Sequence, residues 1–161
     1  GPYQYPEKLI PITIIRALQK KSLNIYGDGN QIRDWLYVED HVSALYLLAT
    51  STNINDTFLI GCNNERSNLE IVNSICDLLN KKLESNFDYK SLITFVKDRP
   101  GHDLRYAINP AKIIEKTSWR PTQTFESRLS QTIDWYLNNQ EWWTNIVTDN
   151  SIIKRKGLDN G

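Results

Sequence analysis

The sequence predicts a mixed α/β chain, and three observations carry that prediction. Helical and strand periodicities alternate along its 161 residues. Ser67-Asn68-Leu69-Glu70 has the form of a capping box just ahead of an apolar stripe at helical spacing. Gly27-Asp28-Gly29-Asn30 is a turn between two runs that read as strands. The length suits one ordinary domain or a piece of a larger one.

The elements follow in order. Lys8 to Lys20 is expected to be a helix with Leu9, Ile12 or Ile15, and Leu18 on one side. Pro11 falls in its first turn, where a missing N–H costs little. Leu23–Tyr26 reads as a short strand. Gln31–Val38 reads as a second, with Arg33, Trp35 and Tyr37 on one face and Ile32, Asp34 and Leu36 on the other. Asp40 is the expected N-cap of a helix to about Thr50, with Val42, Leu45, Tyr46 and Ala49 at helical spacing. Thr57–Gly61 is a strand candidate. The helix after Ser67 carries Val72, Ile75, Cys76, Leu79 and Leu83 on one stripe. Leu92–Lys97 and Leu104–Ile108 read as strands. Asn109-Pro110 opens a short helix to about Lys116. Thr124 caps the last main helix, which turns Leu129, Ile133, Tyr136 and Leu137 inward. Past Ile146 the chain turns polar, so a packed domain over residues 1–146 and a frayed tail over 147–161 are expected.

Composition narrows the function. Hydrophobic residues make up 40% and charged residues 24%, as in an ordinary folded chain. Lys+Arg and Asp+Glu are 19 each, and this zero balance argues against a nucleic-acid binder. No apolar run is long enough to span a membrane, and no signal peptide is evident. Cys62 and Cys76 lack zinc-site spacing and are expected to be reduced thiols. The chain has no Met and begins Gly1-Pro2-Tyr3, as expected of an internal start, of removal of an initiator Met or of a residual tag.

Familiar catalytic signatures are missing. Gly27-x-Gly29 resembles the start of a dinucleotide fingerprint, but the third Gly would fall at Ile32, and no strand-to-helix crossover follows. There is no phosphate loop with Lys-Ser/Thr and no G-x-S-x-G. No Tyr is followed four residues later by Lys, and His41 and His102 are too isolated for a metal site. What remains is suited to an anionic ligand. Arg33 offers paired donors that match phosphate oxygens, or a salt bridge to Asp34 or another carboxylate. Asp98-Arg99-Pro100-Gly101-His102-Asp103 is either a binding loop or a hydrated one. Asn64 is a strand-end polar group or a turn residue, and Tyr26 is a flat face for a base or a packed aromatic.

Taken together, these segments resemble a known family. Gly-Pro-Tyr-Gln-Tyr-Pro-Glu-Lys-Leu-Ile-Pro (1 to 11), Ile-Tyr-Gly-Asp-Gly (25 to 29), Gln-Ile-Arg-Asp-Trp-Leu-Tyr-Val-Glu-Asp-His (31 to 41), Ile-Gly-x-x-Asn-Glu (60 to 65), Asp-Arg-Pro-Gly-His-Asp-x-Arg-Tyr-Ala-Ile (98 to 108) and Trp-x-Pro (119 to 121) are similar to dTDP-glucose 4,6-dehydratases. These are extended short-chain dehydrogenases/reductases. The resemblance implies the C-terminal, substrate-binding part of such an α/β enzyme, with the NAD-binding Rossmann half largely missing. It implies substrate contacts at Lys8 and Leu9, a thymine pocket at Asn24 to Tyr26, diphosphate contacts at Arg33 and Asn64, and a substrate loop with Arg99 and His102.

The family reaction is an NAD-dependent lyase reaction: oxidation of the sugar at C4, loss of water across C5 and C6, and return of hydride to C6. It yields dTDP-4-keto-6-deoxyglucose for rhamnose or related deoxysugars. The Gly-rich NAD loop, the Thr-Asp-Glu segment and the Tyr-x-x-x-Lys pair expected of the family do not occur here. No catalytic residue or NAD site is therefore expected in this chain, which alone should be inert. The full-length family implies a cytoplasmic homodimer. Strands belonging to a larger sheet would leave edges and apolar faces open, so marginal stability or self-association is expected. Two alternatives stand beside this reading: a non-catalytic binding or structural remnant, and part of a UDP-sugar 4-epimerase or decarboxylase of the same superfamily.

Overall fold

The computed structural model describes residues 1–84 and 86–148. Its elements are α1 (Leu9–Leu18), β1 (Leu23–Tyr26), β2 (Ile32–Asp34), α2 (Val38–Thr50), β3 (Glu65–Ser67), α3 (Asn68–Lys82), a 3-10 turn at Tyr89–Leu92, β4 (Ile93–Val96), β5 (Arg105–Tyr106), α4 (Ala111–Thr117), α5 (Phe125–Asn138) and α6 (Gln140–Thr148).

β1 shows the period-2 burial of a half-covered strand: Leu23 and Ile25 are buried and Asn24 is exposed. It pairs in parallel with β4, from Leu23 opposite Ile93 to Tyr26 opposite Val96. β2 lies between β3, antiparallel to it, and β5, parallel to it. Helices α1, α3, α5 and α6 enclose the main core with β1. Ile14, Ile15, Ala17, Ile71, Ile75, Cys76, Leu79, Ile133 and Tyr136 are fully buried in it. A smaller core gathers Ala44, Ile113 and Trp119, flanked by Leu36, Leu47, Leu48, Phe58 and Ile60.

α3 forms as its sequence indicates. Ser67 Oγ accepts the Glu70 N–H at 3.2 Å, and Glu70 Oε2 accepts the Ser67 N–H at 2.6 Å. Both orphan donors are thereby satisfied. Lys81 and Lys82 close the helix where its dipole favours cations, and Lys82 Nζ reaches Asp134 Oδ1 of α5 at 2.7 Å. Thr124 Oγ1 caps α5 by accepting the Ser127 N–H, and Asn109 Oδ1 accepts the Ala111 N–H at the start of α4.

Several expectations are corrected. Asp40 is not an N-cap: α2 begins two residues earlier, at Val38, behind Tyr37. The Asp40 carboxylate is buried and accepts hydrogen bonds from Thr122 N, Thr122 Oγ1 and Arg128 Nη2. That anchor sets the rotation of α2. Ala44, one turn on from Asp40, is fully buried, and Leu47 and Leu48 follow on the same side. Val42, Leu45 and Tyr46 consequently face outward, with Tyr46 71% exposed. Thr57–Gly61 is not a strand and belongs to no ladder among the described residues. Phe58 and Ile60 still pack into the small core while Leu59 points out.

The second predicted strand, Gln31–Val38, is shortened to Ile32–Asp34, since α2 claims its end. Leu104–Ile108 is shortened to Arg105–Tyr106. The stripe expected on α1 is rotated: Pro11, Ile14, Ile15 and Ala17 are buried, while Leu9, Ile12 and Leu18 sit at the margin. α1 packs against both α3 and α5, which widens its covered face. Helix α6 carries Trp143 and Val147 into the main core, so packing reaches past residue 146, and residues 149–161 lie outside the described residues. Cys62 and Cys76 are both free thiols.

Ser67→Ala removes one half of the capping box. Urea unfolding is expected to show a loss of about 1 kcal/mol with an unchanged slope. An unchanged midpoint would mean that the cap contributes nothing to α3.

Candidate functional site

Parallel pairing of β1 with β4 puts their C-terminal ends side by side, and a site has formed there. Leu9, Asn24, Tyr26, Arg33, Arg99 and His102 line one cavity of about 170 Å³, together with Ile25, Trp35 and Asn68. Leu9 arrives as the first residue of α1, Asn24 and Tyr26 from β1, Arg33 from β2, and Arg99 and His102 from the loop after β4. The loop is tied down at both ends. Gly27 N–H donates to Val96 O at 2.9 Å, and Ile32 N–H donates to Leu104 O at 2.8 Å.

Strand alternation separates Arg33 from Asp34. Arg33 Nη1 donates to Ile32 O at 2.6 Å and to Asp103 O at 3.0 Å. Among the described residues no carboxylate pairs with Arg33, so the salt-bridge alternative falls away. Asp34 is engaged elsewhere, accepting from Cys62 N at 2.9 Å, Asn64 N at 2.8 Å and Cys62 Sγ at 3.2 Å. Burial, then the Asp34 carboxylate, pushes the Cys62 thiol up to about 12, so it stays protonated and a poor nucleophile.

His102 is only 8% exposed, and its Nδ1 lies 2.7 Å from Asp98 Oδ1. The His102 hydrogen bond first, and then the Arg99 N–H and Gln31, hold the Asp98 carboxyl below the usual carboxylate range against a smaller opposing effect of burial.

Two predicted residues lie off this cavity. Lys8 precedes α1, is exposed, and pairs with Glu7 at 2.7 Å. Asn64 lines a second cavity of about 320 Å³, which shares Trp35 with the first. Its Oδ1 accepts from Arg66 Nε at 3.2 Å. This second cavity also holds Arg128, whose guanidinium stacks 4.3 Å from the Tyr37 ring and bonds Asp40 and Thr122. Arg128 Nε is buried with no hydrogen-bond partner among the described residues. Burial would raise the Asp40 carboxyl, but the Thr122 and Arg128 hydrogen bonds outweigh it and hold the group low.

Asn68 was missed as a lining residue. Its local sequence marks it only as the first residue after a cap, and nothing local shows which way a first-turn side chain points. The Gly27–Asn30 turn does not fit a dinucleotide. The N–H groups that would cradle a pyrophosphate are used internally: Gly27 to Val96 O, Gly29 to Tyr26 O, and Asn30 to Asp28 Oδ1. The turn is also backed by α3, since a Cβ on Gly29 would lie 2.9 Å from Leu69 Cβ. Among the described residues no group of three or more His, Cys, Asp or Glu is placed to hold a metal, and no helix is long and apolar enough to cross a membrane.

A depressed carboxyl adds stability above the ordinary carboxylate range, and that contribution is lost as the pH falls through the depressed value. Melts of the wild type and Asp98→Ala should therefore differ at neutral pH and converge below the usual Asp range of about 4. A gap that stays constant through that range would show that the Asp98 charge is not involved.

The chain is similar to known proteins in sequence and in fold. The chain matches the protein family described as GDP-mannose 4,6 dehydratase over residues 1–132. It is 50% identical over 161 residues to a dTDP-glucose 4,6-dehydratase of Neisseria meningitidis serogroup B, covering 98% of this chain and 45% of that one. It is 51% identical over 146 residues to dTDP-glucose 4,6-dehydratase 1 of Escherichia coli K12, covering 91% and 40%. Its fold matches the crystal structure of dTDP-glucose 4,6-dehydratase from Bacillus anthracis in complex with NAD, with TM-score 0.79, 46% identity, and coverage of 90% of this chain and 44% of that one. It also matches the dTDP-glucose 4,6-dehydratase DesIV from Streptomyces venezuelae with NAD and TYD bound, with TM-score 0.79, 35% identity, and coverage of 89% and 42%. The chain spans less than half the length of these relatives. It belongs to the GDP-mannose 4,6 dehydratase family, is similar within it to the dTDP-glucose 4,6-dehydratases, and carries part of a short-chain dehydrogenase/reductase fold.

Proposed function

We propose that this chain is the sugar-nucleotide-binding part of a dTDP-glucose 4,6-dehydratase. The observation that carries the proposal is the cavity at the ends of β1 and β4, which collects Leu9, Asn24, Tyr26, Arg33, Arg99 and His102 from four separate stretches of chain. Arg33 supplies donors for the diphosphate, joined by Arg99 at the loop. Tyr26, Leu9 and Asn24 provide the surface for the thymine ring. Lys8 and Asn64 flank this cavity and act as peripheral contacts to the same ligand.

In the whole protein the reaction is 4,6-dehydration of dTDP-glucose to dTDP-4-keto-6-deoxyglucose, in the cytoplasm, for rhamnose or a related deoxysugar. NAD supplies the hydride chemistry and is held by a part of the protein other than the residues described here. The whole protein acts as a homodimer. The chain by itself binds the nucleotide and does not turn it over, because its own residues offer donors and an aromatic face but no hydride acceptor.

Calorimetric titration tests the reading. The chain is expected to bind dTDP more tightly than UDP, and Arg33→Ala should weaken binding at least about ten-fold, as loss of a hydrogen bond to a charged group does. Equal or tighter binding of UDP would favour a UDP-sugar enzyme of the same superfamily. No binding by a chain that melts cooperatively would overturn the assignment, and dehydration of dTDP-glucose by the chain with added NAD would overturn its inertness.

A further inference from the structure

The Gly27–Asn30 turn is left without a purpose once a dinucleotide is excluded, and its surroundings supply one. His102 stands at the wall of the cavity as a largely buried imidazole, 8% exposed. Which ring nitrogen donates is set by the partner of the other, so a carboxylate at Nδ1 makes that atom the N–H and leaves Nε2 as the acceptor. That assignment holds only while the carboxylate stays in place. Asp98 Oδ1 takes His102 Nδ1 at 2.7 Å, and Asp98 Oδ2 is held from the far side by Gln31 Nε2 at 3.0 Å.

Gln31 follows the turn directly and is only 4% exposed. Its main-chain O accepts the Asn68 N–H at 3.0 Å, and its Oε1 accepts Asn68 Nδ2 at 3.5 Å. The first residue of α3 thus fixes Gln31 twice. The turn makes room on the other side: a Cβ on Gly27, whose φ is +61°, would lie 3.0 Å from Asp98 Oδ2 and 3.2 Å from Asp98 Cγ. Bare backbone at residue 27 is what lets the carboxylate sit where Gln31 and His102 both reach it.

We propose that the turn from Gly27 to Gln31 is a positioning device for His102: it seats Asp98 through Gln31, and Asp98 fixes the tautomer and orientation of the imidazole at the cavity wall. Gln31 is a positioning residue and touches no ligand. The value of this arrangement rests on the sugar-nucleotide reading of the cavity, but its central test needs no ligand.

Long-range 1H–15N correlation on the free chain reads the His102 tautomer directly. Wild type should show the Nδ1–H form in excess. Gln31→Leu keeps the side-chain bulk and removes the donor. Provided its melt stays cooperative, it should move His102 toward the Nε2–H form of a free imidazole. A plug that merely fills space would leave that signature unchanged, and an unchanged signature in folded Gln31→Leu overturns the proposal. Should Gln31→Leu not fold, Gly27→Ala displaces Asp98 from the opposite side and carries the same expectation and the same overturning result. Titration with dTDP adds a second readout: Gln31→Leu should weaken binding about five-fold in the wild-type background and not at all in His102→Ala. Additive losses in that cycle overturn action through His102. If no variant and no wild-type chain binds dTDP, the proposed function fails while the tautomer result still decides this inference.

Discussion

The parallel pairing of β1 with β4 is the constraint on which the site depends. Tyr26 and Val96 are neighbours in that pairing although α2, α3 and their connections lie between them in sequence. Parallel strands require such a crossover, and the entropy of closing it must be recovered by what the crossover buries. Helix α3 does most of this: Ile71, Val72, Ile75, Cys76 and Leu79 all enter the main core. With the ladder in place the loop after β4 can only fall beside β2, where Arg33 waits. The convergence of distant polar groups is thus a result of packing on the other side of the strand pair.

A second tie holds the smaller core to the larger. Buried Asp40 on α2 and half-buried Arg128 on α5 meet with Thr122, and the Tyr37 ring covers the guanidinium. Burying a charge is tolerable only where hydrogen bonds replace its water, and Asp40 has three. A charged anchor is also directional in a way that apolar contact is not. It fixes the rotation of α2 about its own axis, and that choice leaves Val42, Leu45 and Tyr46 outside.

How far the sequence reveals this depends on the range of the interaction. The Ser67–Glu70 box, the Thr124 cap and the stripe of α3 are local, and they appear where the residues place them, except that Leu83 falls at the C-cap of α3 and is exposed. The alternation that sets Arg33 of β2 and Trp35 just after it on one side is local as well, and both line the cavity. The misreadings involve distant partners. Asp40 has the look of an N-cap, and only Thr122 and Arg128, some eighty residues on, make it a buried anchor. Thr57–Gly61 is apolar like a short strand, but it joins no ladder among the described residues. Asn64 lines the second cavity, where its N–H donates to Asp34 Oδ1, and no spacing along the chain encodes that pairing.

The Arg33 guanidinium, held by two carbonyl oxygens and, among the described residues, by no carboxylate, has a consequence for how the free chain lives in solution. In a chain of zero net charge it is a local basin of positive charge. Any multivalent oxyanion that settles there binds the folded chain and not the unfolded one, so folding and anion concentration are thermodynamically linked. Ionic strength then acts in two opposed ways, screening the attraction of the basin for its ligand while supplying small anions that occupy it.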